Sequence, residues 1–256
     1  MNDPHVVALI YTIKHPADVD FENAKPLDFD CPRFFGRIEN GLLRVELKEH
    51  FATHEAANEV VEPFLRAWEL HSDLSVSPGE IEFRYQTAEI IDRNPVIVPG
   101  THTVVSLQGI SLSISSASAS LHVSRSAYPQ PPLNLAVDAD IEDMQRRFRR
   151  FRKDRATLPD TAYFCLTMLE MVGGSRKRAA GYFGIDFKVL DKVGELASNK
   201  GGRNEARKAK AVVEYTPQER AWLDAAIKIM IRRAAEVSYD KTSASKIITM
   251  ADFPPL

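Results

Sequence analysis

Tyr128-Pro129-Gln130-Pro131-Pro132 divides this sequence into two stretches with different hydrophobic periods. Three prolines in four residues favour extended polyproline geometry and cannot continue a sheet interior. Before them, apolar residues alternate at strand period; beyond them, they recur at helical period. The fold class expected is α+β: a mainly antiparallel N-terminal sheet with one packed helix, followed by an all-α helical bundle. The expected parts are an α+β domain at 1–127, a proline-rich linker at 128–135, a bundle at 136–237 and a loosely held tail at 238–256.

Working back from the prolines, residues 101–124 contain no Asp, Glu, Lys or Arg. Val104, Val105, Leu107, Ile110, Leu112, Ile114, Leu121 and Val123 are spaced for two or three strands, with a Ser-rich linker as the alternative. Ile81, Phe83 and Tyr85 alternate with Glu80, Glu82 and Arg84, which gives a strand with one buried face. A helix is expected over 53–70, kinked or restarted at Pro63. Asn40-Gly41 lies between the strand-like runs 33–38 and 42–47, and both residues tolerate the positive φ of a tight hairpin turn. Residues 6–13 supply another strand.

This half offers little chemistry. Asp18, Asp20 and Glu22 begin like a calcium loop, but the required glycine is missing and Phe29 stands where the closing Glu belongs, so a solvated acidic loop is expected. His50 and His54 are four apart, yet Phe51 replaces the Glu of the zinc-protease pattern and no third ligand can be named. No metal and no cofactor is expected. The chain has no phosphate loop, nucleophile elbow or dinucleotide fingerprint. No run reaches the length of a membrane span, and the N-terminus lacks the features of a signal peptide. With only Cys31 and Cys165, a reduced, cytoplasmic, soluble protein is expected.

The net charge of −2 hides a split. Residues 1–133 hold 10 Lys and Arg against 18 Asp and Glu, a net of −8; the rest hold 23 against 17, a net of +6. Within 144–210 the balance is 17 against 7, or +10, while all seven histidines precede residue 123. The basic region therefore has no imidazole for acid–base work near neutral pH, and no catalytic residue is assigned. Its partners should be nucleic acid or an acidic protein surface.

The cations fall in three clusters. Residues 136–155 form an amphipathic helix with Ile141, Met144, Phe148 and Phe151 on one face and Arg146, Arg147, Arg149 and Arg150 around the rest. Part of that pattern is dipole compensation, since Asp138, Asp140, Glu142 and Asp143 occupy the opposite end. Arg176, Lys177, Arg178, Lys188 and Lys192 follow over 175–200, and Arg203, Arg207 and Lys208 lie beyond the Gly201-Gly202 pair. These twelve residues are the candidate contacts. Between the first two clusters, 158–172 is apolar almost all round, as a central bundle helix should be, with Cys165 in its core. Thr216, Pro217 and Glu219 start a last helix with a capping box.

Residues 176–193 resemble a helix-turn-helix: Ala180 is small where the helices cross, Gly184 sits at the turn, and Phe183, Ile185, Leu190 and Val193 supply buried positions. The resemblance implies base contacts from Asp186, Phe187, Lys188, Asp191 and Lys192, with the two aspartates opposed by phosphate; core packing of a helical hairpin is the alternative. The helical half as a whole is similar to bacterial HEPN proteins, whose ribonuclease motif is Arg, a polar residue, and His a few residues on. Here Arg203-Asn204 opens the motif and no His follows, which implies a catalytically dead relative or a ribonuclease with an unusual base. The leading expectation is non-enzymatic binding of nucleic acid or an acidic partner. The other is a scaffold or homo-oligomer joining acidic and basic halves.

Overall fold

The computed structural model describes residues 3–94, 123–200 and 214–256. The chain forms two compact units: residues 1–61 with 82–128, and residues 62–81 with 129–256.

In the first unit, strands β1 (Pro4–Lys14), β3 (Leu27–Asp30), β4 (Phe34–Glu39), β5 (Leu42–Leu47) and β6 (Glu82–Asp92) form one antiparallel sheet, in the order β3-β4-β5-β1-β6. The turn joining β4 to β5 is made by Asn40 at φ 52° and Gly41 at φ 73°, so the expected hairpin is present with both residues left-handed. Strand β2 (Val19–Asp20) pairs in parallel with β7 (Val123–Ser124). The other strands expected over 101–124 lie outside the described residues. Leu9, Ile38, Leu43 and Val45 alternate inward, and Ala57 and Val61 of helix α1 (His54–Ser75) are buried with them. In the early acidic loop Asp18 and Glu22 are exposed and Asp20 accepts from Ser124 Oγ at 3.0 Å; in β3, Asp28 pairs with Arg37 at 3.2 Å and Asp30 with Lys48.

Helix α1 continues without interruption through Pro63 and runs five residues past the end expected from the sequence. Its second half belongs to the helical unit, because Ala67, Leu70 and Leu74 join that unit's core. The Asp73 carboxylate is buried there. It accepts from Gly79 N at 2.7 Å, from Gln145 Nε2 at 2.7 Å and from Arg149 Nε. Three donors from two segments thus meet one buried anion.

The second unit adds α2 (Ala139–Arg152), α3 (Leu158–Gly173), α4 (Arg176–Phe183), α5 (Phe187–Asn199) and α6 (Pro217–Tyr239). Each start carries a side-chain cap of the expected kind: Asp138, Thr157, Ser175, Asp186 and Thr216 accept from backbone N–H groups in the first turn. Thr216 and Glu219 complete the capping box. Helix α3 touches α2, α4, α5 and α6, which explains why nearly every side of it is apolar. Phe148, Leu166, Leu190, Trp222 and Ile227 fill the middle. Burial pushes the Cys165 thiol up to about 12, so it is a protonated core residue.

The segment expected as a loose tail is pinned to this unit. Two short 3-10 turns, Lys241–Ser245 and Met250–Asp252, lead to Phe253, which packs against Trp222 with ring centroids 5.0 Å apart. Ile248 N donates to Gly184 O and Asp186 N to Ile248 O, both at 2.8 Å. The buried Arg233 guanidinium donates to the carbonyls of Ser243 and Lys246. Ile248, Met250 and Phe253 are the residues that make this docking favourable, and they are too sparse to register as a helix or strand in the sequence.

Gly184, in the turn between α4 and α5, has φ 61°, and a Cβ there would sit 2.6 Å from Ala244 O. A Gly184→Ala chain is therefore expected to lose about 1–3 kcal/mol from combined backbone and steric strain. Urea unfolding would show the lower midpoint, and limited proteolysis should cleave after Tyr239 faster than in the parent. An unchanged midpoint and cleavage rate would contradict this packing.

Candidate anion-binding site

Helix α2 is ordered by its apolar stripe: Ile141, Met144 and Phe148 are buried and Phe151 packs half-buried beside them. That orientation divides the arginines around the helix, each successive residue turning by about 100°. Arg146 pairs with Asp143 at 2.7 Å on the exposed side. Arg149 turns inward onto Asp73 and toward Glu69 at 3.8 Å. Arg147 and Arg150 take a third direction and line a cleft of about 550 Å³.

The end of α2 shapes that cleft. Arg155 N donates back to Arg150 O at 2.8 Å and Asp154 N to Phe151 O at 3.0 Å, a helix-ending pair of bonds that needs a left-handed residue between them. Asp154 takes that place with φ 54°, where glycine is usual. The chain reverses within four residues, and Thr157 caps α3 by accepting from Asp160 N at 3.3 Å. Arg155, Thr157 and Asp160 are thereby brought beside Arg150, and Arg220 arrives from the first turn of α6.

Four guanidiniums, those of Arg147, Arg150, Arg155 and Arg220, share this lining with two carboxylates, those of Asp154 and Asp160. Among the described residues none of the four makes an ion pair. Arg147 lies over the Phe164 ring, 5.6 Å from its centroid, with Nε buried and without an acceptor. Arg220 lies over the Tyr215 ring at 5.6 Å. Arg150, Arg155 and Arg220 are exposed. Cations gathered without carboxylate partners create a local positive potential that an anion relieves.

The other candidate cations are placed differently. Arg176 donates to Glu170 Oε1 at 2.6 Å and to Asp191 Oδ1 at 3.0 Å, and its guanidinium lies against Gly194. Lys192 pairs with Glu195 at 3.0 Å. Lys177, Arg178 and Lys188 are exposed, and among the described residues they make no ion pair. None of these lines the cleft. Arg203, Arg207 and Lys208, and with them the Arg203-Asn204 motif, lie outside the described residues.

Helices α4 and α5 do meet at Gly184, with Phe183, Ile185, Leu190 and Val193 buried. The exposed face of α5, however, carries Lys188 beside Asp191 and Glu195, both of which are already paired to cations. Four guanidiniums without an ion pair among the described residues are gathered in the cleft, while the exposed Lys177, Arg178 and Lys188 stand outside it. Its residues Arg155 and Arg220 are absent from the sequence-based contact set. Arg155 extends the arginine cluster already noted, whereas no local signal links Arg220 to residues 147–155.

The histidine pair has no shared site. Helix α1 begins at His54, so His50 precedes it. His50 Nδ1 lies 3.1 Å from His5 Nδ1, while His54 stacks on Tyr85 at 5.5 Å. Among the described residues no group of three His, Cys, Asp or Glu side chains is placed to hold a metal ion, and no helix is long and apolar enough to cross a membrane. Comparison with protein-family models, with characterised proteins and with solved structures gives no match to this chain.

Proposed function

We propose that the helical unit binds nucleic acid through phosphate contacts from Arg147, Arg150, Arg155 and Arg220. The observation that carries this reading is the convergence of four guanidiniums, without ion-pair partners among the described residues, on one cleft. Guanidinium presents a planar fork that matches two phosphate oxygens at once, and such charge-assisted bonds are among the strongest a surface can make. The +10 balance over 144–210 adds a wider field that draws polyanions toward the unit.

An acidic protein segment would meet the same guanidiniums. The two partners are separated by filter binding of labelled RNA and DNA at low salt, with polyglutamate as competitor. Retention of either nucleic acid in the presence of excess polyglutamate supports the proposal. Failure to retain any strand at low salt sinks it, because phosphate contacts strengthen as salt falls.

A further inference from the structure

We infer that the cleft takes one nucleotide bearing a terminal phosphomonoester, in preference to the internal phosphodiesters of a duplex; this rests on the nucleic-acid reading of the same arginines. Charge is the first reason. The lining carries four guanidiniums against two carboxylates, a net of +2. A phosphomonoester carries about −1.5 to −2 at neutral pH, because its second proton leaves near pH 6. An internal diester carries a single negative charge and leaves this lining under-neutralised.

Size and shape are the second reason. A cleft of about 550 Å³ lies in the range of small-ligand sites and holds a single nucleotide. A duplex presents its phosphates along a regular backbone, and four arginines that share one concavity cannot follow that spacing. The third reason is the mixed character of the lining. Phe151 offers an aromatic surface to a base. Asp160 and the Thr157 hydroxyl offer acceptors to sugar hydroxyls or base amino groups. Inorganic phosphate would use the arginines alone.

Fluorescence anisotropy with the full chain tests this. The probes are single strands of about ten nucleotides with a 5′-phosphate, a 3′-phosphate or hydroxyl ends, together with a blunt hydroxyl-ended duplex. AMP, adenosine and inorganic phosphate serve as competitors. A strand ending in phosphate is expected to bind at least about tenfold tighter than its hydroxyl-ended twin. That preference should fade below about pH 6, as the monoester takes up a proton. The preferred end, 5′ or 3′, identifies the polarity of the strand. Competition by AMP but not adenosine, with no added affinity from the oligonucleotide, supports the phosphomonoester site and assigns a free nucleotide as its source, against the nucleic-acid reading.

A chain with Arg155→Gln and Arg220→Gln should lose the end preference while keeping its helical circular dichroism. Equal, salt-dependent binding of phosphate-ended and hydroxyl-ended strands overturns this inference and leaves the nucleic-acid reading standing. Binding of no strand and no nucleotide at low salt overturns both.

Discussion

Replacing Arg150, Arg155 and Arg220 together by glutamine is expected to weaken single-strand binding about 100-fold near 0.1 M salt. A 100-fold loss corresponds to about 2.7 kcal/mol, the scale on which charge-assisted hydrogen bonds from three guanidiniums to one phosphate are lost. The same chain should stay folded, because all three side chains are exposed and make no ion pair among the described residues. The loss of Arg220 from the Tyr215 face removes a cation–π contact of only about 0.5–1 kcal/mol. Arg147 is left in place because it packs on Phe164, and changing it would confuse stability with binding. Anisotropy gives the affinity and thermal melting the fold. Less than a threefold loss of affinity in a folded triple variant would remove the cleft from the binding surface.

The largest effect on stability should come from Asp73. Its carboxylate is buried and holds Gly79 N, Gln145 Nε2 and Arg149 Nε together. An Asp73→Ala chain leaves those donors without their acceptor and strands part of the Arg149 charge inside the unit. Breaking a buried pair in this way costs about 3–5 kcal/mol. Asp73→Asn keeps an acceptor oxygen and should cost less. Urea unfolding followed by tryptophan fluorescence measures both, since Trp222 lies in the core of the same unit. A change below about 1 kcal/mol for Asp73→Ala would show that this junction is not a principal support. Asp73 and Arg149 thus belong to folding, while Arg150, the next residue along α2, belongs to the proposed site.

That contrast shows where the sequence could be read and where it could not. Short-range features were legible: Asn40-Gly41 as a hairpin turn, Thr216-Pro217 with Glu219 as a helix start, Ile141-Met144-Phe148 as a buried stripe, and Gly184 as a turn between two short helices. Each is set by the local preference of a few neighbouring residues. The partner of a charged side chain was not legible. Arg149 and Arg150 are chemically identical neighbours, and only the packed α1 and α2 reveal that Asp73 claims one of them. Arg220 reaches the cleft from across the chain, and Phe253 docks on Trp222 from a segment that looks like a polar tail. Composition located the basic half but could not separate cations that are internally matched, such as Arg176 and Lys192, from those that remain unpaired.

The most direct test of the proposed phosphate-binding cleft is the slope of log association constant against log salt for a phosphate-ended single strand, measured from about 50 to 200 mM. One terminal phosphomonoester of charge up to about −2 held by the four arginines predicts a slope near about −1 for a phosphate-ended strand in the parent and near zero in the Arg150, Arg155, Arg220 triple variant. A slope close to zero in the parent, or the parent's slope retained in the variant, would contradict the account.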